Sequence, residues 1–135
     1  MRCFTRGGFD WADRFPAIVE AASRIRAESF LIDGEAIVCG PDGRADIDAP
    51  RSRRRDRDVV LFAFDLLKPK GEDWRSRQLA ERRKQLVSLL ARTFGGLHFT
   101  EHLDACLRAR LPQVCLFAGT GVRWLRGPQT FRRQP

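Results

Sequence analysis

Apolar residues along this chain fall into two rhythms, one repeating every three or four positions and the other every second position, and the change between them marks the elements. Residues 2–6 followed by Gly7-Gly8 read as a short strand running into a turn, because paired glycines supply the positive φ angles that tight turns need. Phe15, Ile18, Val19, Ala22 and Ile25 then recur at helical spacing, with Pro16 suited to the first turn and Asp13 available as a cap. Residues 30–39, FLIDGEAIVC, predict a strand with Leu31, Asp33, Glu35 and Ile37 on one face and Ile32, Gly34, Ala36 and Val38 on the other. Asp33 and Glu35 therefore point the same way. Gly40-Pro41-Asp42-Gly43 is a turn signal, and residues 51–57, RSRRRDR, form a charge run without apolar period, read as a solvated loop or helix surface.

Residues 59–67, VVLFAFDLL, are apolar on both faces except at Asp65, the pattern of a central strand covered on two sides. A polar residue there needs a partner. Leu79, Leu86, Leu89 and Leu90 mark a second amphipathic helix, arginine-rich on its outer face and ending before Gly95-Gly96. Residues 97–100 are expected to form another strand. After Asp104 no helical or strand period is sustained, so residues 1–104 are expected to be the folded unit and 105–135 a degenerate or disordered tail.

Composition narrows the class. At 135 residues the chain has room for one modest domain, or part of one, with a real core. The 25 basic residues outweigh the 17 acidic ones, for a net charge of +8, so the surface should attract a polyanion, nucleic acid first. Apart from Lys68, Lys70 and Lys84 that charge is arginine, whose planar fork suits phosphate, although a GC-rich genome would produce the same bias. Cys3, Cys39, Cys106 and Cys115 form no C-x-x-C pair, so neither a zinc ribbon nor a disulfide framework is indicated and a reducing cytoplasm fits. No apolar run is long enough to span a membrane, and none follows Met1.

Three segments in register carry a resemblance: Thr5-Arg6-Gly7-Gly8-Phe9-Asp10-Trp11 with Arg14-Phe15-Pro16, then Leu31-Ile32-Asp33-Gly34-Glu35, then Phe62-Ala63-Phe64-Asp65-Leu66-Leu67. With Gly71-Glu72-Asp73-Trp74, Glu81-Arg82-Arg83 and Phe99-Thr100-Glu101-His102 they resemble the adenylation (nucleotidyltransferase) domain of ATP-dependent DNA ligases, especially the bacterial ligase D group. The resemblance implies an α+β, ATP-grasp-like partial nucleotidyltransferase fold, an antiparallel sheet with flanking helices. It implies ATP and Mg²⁺ as cofactors and nicked duplex DNA as partner, in repair and recombination. It also implies roles: Arg6 contacting the nucleotide or nick, Glu35 the ribose or the metal, and Phe64 stacking on adenine. Those residue types suit that chemistry, since guanidinium grips phosphate, carboxylate holds a hydroxyl or Mg²⁺, and an aromatic ring offers a π-face. By contrast Asp33 is read as structural and Phe62 as plain core.

A rival motif, His98-Phe99-Thr100-Glu101-His102, has the H-x-x-E-H spacing of a zinc peptidase, but it works only on a helix, and LHFT after two glycines reads as strand. The departures from the ligase pattern are as informative. None of the three lysines is followed by x-D-G, so the nucleophilic lysine is missing, and neither E-G-x-V nor W-x-K-x-K follows Glu101-His102. Arginine cannot substitute for the nucleophile, because it stays protonated. The expectation is a ligase fragment without self-adenylation, its tail out of frame or its start upstream. A complementing ligase fragment would then be a partner. The alternative is a non-catalytic, arginine-rich nucleic-acid-binding piece or a gene remnant.

Overall fold

The computed structural model describes residues 1–5, 7–41, 45–46 and 49–100, together with the backbone of 121–125. Its centre is the antiparallel pair β2 (Phe30–Cys39) and β4 (Val59–Pro69). In β2 the alternation read from the sequence holds as far as Ala36: Phe30, Ile32, Ala36 and Val38 are buried and Leu31, Asp33 and Glu35 on the other face only half-buried, but Ile37 on that second face is buried as well.

Onto the buried face pack α1 (Pro16–Ser23), through Ile18, Ala21 and Ala22, and α3 (Leu79–Leu90), through Leu86 and Leu90. A short α2 (Ala49–Ser52) adds Ala49 to the same core. Phe15, Ile18, Phe30, Ile32, Leu61 and Leu86 are at most 2% exposed. Burying each such side chain contributes about 1.5–3 kcal/mol. Gly96 lets α1 settle close to the sheet, since a Cβ there would stand 2.3 Å from the Ala17 carbonyl oxygen. Pro16 occupies the first turn of α1 as the sequence suggests, but Asp13 is not its cap: Phe15 holds the cap position and no side chain bonds there. Asp10 is the organiser of this segment instead, accepting from the Cys3 and Ala12 N–H groups at 3.1 and 3.0 Å.

Around the central pair the strand order is β1-β6-β2-β4-β5, where β1 is Arg2–Phe4, β5 is Leu97–Phe99 and β6 is Gly121–Leu125; β3 (Ala45–Asp46) pairs with the far end of β2. Every pairing is antiparallel except β4 with β5, which is parallel. So the architecture is α+β with flanking helices, and the antiparallel sheet has one parallel edge. β6 lies inside the segment 105–135, where the sequence shows no period. Among the described residues no helix is long and apolar enough to cross a membrane.

Candidate functional site

Between β2 and β4 the register slips twice. The partner of Leu31 is Lys68 but that of Ile32 is Leu66, and the partner of Asp33 is Asp65 but that of Gly34 is Ala63. Leu67 and Phe64 are thereby left over as the extra residues of two bulges, a device that bends a strand and re-aims its side chains. Gly34 makes the second bulge possible: a Cβ there would lie 2.6 Å from the Phe62 carbonyl oxygen and 3.0 Å from the Ala63 Cα. The glycine between Asp33 and Glu35 is thus required by the close approach of β4, quite apart from any ligand.

The polar residue in the apolar run of β4 has its partner in α3. Arg82 Nε lies 3.0 Å from an Asp65 carboxylate oxygen, both side chains being 14% exposed, as an ion pair without the alignment of a hydrogen bond. Asp33, read as structural, accepts from the N–H of Gly34 at 3.1 Å.

On the face turned away from the helices, Glu35 stands directly across from Phe62, and Phe62 directly across from His98. The Phe62 and His98 rings stack, centroids 5.3 Å apart and planes 30° from parallel. On the other side of Glu35 the register neighbour is Gly121, which carries no side chain. Burial pushes the Glu35 carboxyl above its ordinary range. Carboxylate, phenyl and imidazole thus form one row across three strands, with an oxygen acceptor at one end and π-faces beside it.

Of the residues singled out from sequence, Glu35 and Phe64 are both half-buried, whereas Arg6 lies outside the described residues. Phe62, read as core, is half-buried on the face of Glu35, and His98 is exposed beside it. The parity of the strands carried that signal, because Phe62 shares its side with Glu35 once the two strands are paired. His98 sits on a strand, so the helix that the zinc-peptidase motif needs is not formed there; Glu101 and His102 lie outside the described residues. Among the described residues no group of three His, Cys, Asp or Glu side chains could hold a metal ion.

The family model described as the ATP dependent DNA ligase domain matches residues 1–106. The chain belongs to this ligase family. Its relatives include the multifunctional non-homologous end joining protein LigD of Pseudomonas aeruginosa, 32% identical over 126 residues, an alignment covering 90% of this chain and 15% of that protein. A probable DNA ligase of Streptomyces griseus is 38% identical over 101 residues, covering 67% of this chain and 20% of the relative. The crystal structure of the ligase domain from M. tuberculosis LigD matches with a TM-score of 0.57 at 31% identity, covering 71% of this chain and 31% of that one. The chain therefore spans a fifth or less of these two curated relatives. The alignment to the Pseudomonas protein also runs past residue 106, where the family match stops.

Proposed function

We propose that this chain supplies one wall of the adenosine-nucleotide pocket of a DNA-sealing ligase, on the face that carries Glu35. The observation that carries the reading is the row Glu35–Phe62–His98, together with Phe64 at the bulge. A half-buried carboxylate accepts hydrogen bonds from ribose hydroxyls, and aromatic faces beside it stack on a purine. The side chains therefore fit ATP. Phe64 carries the adenine contact, Phe62 and His98 extend the aromatic surface, and Arg6 grips phosphate. Mg²⁺ takes one or two carboxylates and keeps several waters, so Glu35 serves as one ligand at most, and the ion's contribution is to neutralise charge at phosphoryl oxygens.

The attacking lysine does not come from these residues. Lys70 lies in the turn after β4 and Lys84 is exposed on α3, while Lys68 stands near the far end of β4, opposite Leu31. No lysine thus stands beside Glu35 among the described residues. These 135 residues alone accordingly bind nucleotide without becoming adenylated. Incubation with α-³²P-labelled ATP and Mg²⁺ followed by denaturing electrophoresis tests this, and a labelled band at the size of the chain would overturn it. Equilibrium dialysis with ATP tests the pocket itself, with Glu35→Ala and Phe64→Ala expected to abolish retention. Supplying the missing motifs on a second ligase fragment should restore nick sealing on duplex DNA if this chain serves as its complement.

A second reading, nucleic-acid binding without catalysis, is favoured by the excess of arginine, and is taken further below.

A further inference from the structure

On the helix side of the sheet, away from Glu35, the C-terminal ends of α1 and α3 diverge over the start of β2 and the end of β4. A cleft of about 320 Å³ opens between them. Its apolar floor is the half-buried Ala27, Pro69 and Leu89 over the buried Phe30 and Leu66, and its rim carries Arg24, Arg26, Lys70 and Arg92. No carboxylate lines it. Arg24 is already engaged with Glu20 at 2.6 Å, but Arg26, Lys70 and Arg92 have no ion pair among the described residues and are exposed.

Ordinary helix electrostatics accounts for part of this. Two helix C-termini border the cleft, each bearing roughly half a negative charge, and cations at Arg24 and Arg92 complement them. Arg26 and Lys70 lie outside both helices and are not explained in that way. Lys70 is held, moreover, in left-handed backbone (φ 49°) at the head of a tight turn with Gly71 (φ 83°), closed by Glu72 N–H donating to the Pro69 carbonyl at 2.9 Å. Such turns favour Gly or Asn in the position that Lys70 occupies. The residue least at ease in that backbone is the one that brings a cation to the rim.

We propose that this cleft binds a single strand of nucleic acid, its phosphodiester groups on Arg26, Lys70 and Arg92 and one unstacked base over the apolar floor. A concave, apolar-floored site suits a strand whose bases are free. A duplex keeps its bases stacked inside and offers a convex backbone and base edges, but no free base face. This site is on the opposite side of the sheet from Glu35, so it stands or falls separately from the nucleotide reading.

The test is fluorescence anisotropy of the whole chain with a labelled dT₁₂ strand and with a 12-base-pair duplex. Arg26→Ser, Lys70→Ser and Arg92→Ser together should weaken dT₁₂ binding at least tenfold and lower the slope of log affinity against log salt by about 2. Removing three exposed charges near the other end of β2 and β4, with Arg51→Ser, Arg54→Ser and Arg57→Ser, should change it less than twofold. Equal losses from the two triple variants, or a duplex bound as tightly as the strand, would overturn the proposal. Crosslinking of the unaltered chain to a 4-thiothymidine strand needs no variant to fold. Adducts should map to residues 24–30, 66–70 or 85–92, and adducts confined elsewhere would also overturn it. Inorganic phosphate competing at millimolar level as well as dT₁₂ does would reduce the site to a free-phosphate site and overturn the strand.

Discussion

Arg14 grips Asp56 with both prongs of its guanidinium, Nε and Nη2 each donating to a carboxylate oxygen at 2.8 Å across 42 positions of sequence. The two side chains are 13% and 22% exposed, and the guanidinium also lies 4.1 Å from the centre of the Trp11 ring and donates to the Pro50 carbonyl. It ties the entrance of α1 to the turn that launches β4.

Arg14→Ala should therefore cost about 1–3 kcal/mol of stability, measured by urea unfolding at pH 7. Arg14 holds the Asp56 carboxyl below its ordinary value of 3.8, so the pair's contribution is complete above that pH and is lost as pH falls below it toward the folded-state value. Asp56→Asn should remove that part of the acid sensitivity. An unchanged acid limb in the variant would show that the pair does not set it.

Gly34→Ala tests the bulge. The methyl would meet the Phe62 carbonyl oxygen at 2.6 Å, and backbone cannot step aside as a side-chain tip can. A loss of about 1–3 kcal/mol is expected from such overpacking, and Gly96→Ala should behave alike against Ala17. Circular dichroism melts of both variants check this, and an unchanged midpoint for Gly34→Ala would mean the strands part more easily than their register implies.

Glu35 gives a prediction of opposite sign. Burial raises its carboxyl pKa above 4.5, so ionisation opposes folding: its neutral form is compatible with the fold below that pH, and stability is lost as pH rises through the raised value. Glu35→Gln should be neutral near pH 4 and stabilising at pH 7. Melting curves at the two pH values decide it.

The cysteines should separate by reactivity. Cys3 is fully buried and burial, with Asp10 beside it, pushes its thiol far up, whereas Cys39 is exposed with its thiol raised by desolvation and partly offset by Arg55. Iodoacetamide at pH 8 followed by peptide mass mapping should label Cys39 in the native protein and Cys3 only after urea is added.

Much of this structure was legible in the sequence where the signal is local. The period of two over FLIDGEAIVC located β2 to its ends, and the helical spacing of leucines located α3. Asp65, conspicuous in an apolar run, did have a partner, though Arg82 lies 17 positions away and no periodicity points to it. The bulges were invisible, because a register slip exists only between two strands, and with them went the placement of Phe62 rather than Phe64 opposite Glu35. Asp13 looked like a cap because of its type and position, yet Asp10, three residues earlier, makes the turn's bonds. β6 escaped because GVRWL has no amphipathic rhythm of its own; its identity as a strand comes from the two neighbours it joins.

That insertion has a consequence for how the chain is made. Among the described strands β1 pairs only with β6, so Arg2 meets its partner Leu125 only after the 123 positions that separate them have been made. Of these two strands, the one made earlier stays open until the later one is made. Until residue 121 is made, the edges that β1 and β2 offer to β6 stay unpaired, whereas β2 and β4 can pair over a much shorter loop. A ribosome stalled before residue 121 would display a sheet open at that edge, ready to accept a strand from elsewhere.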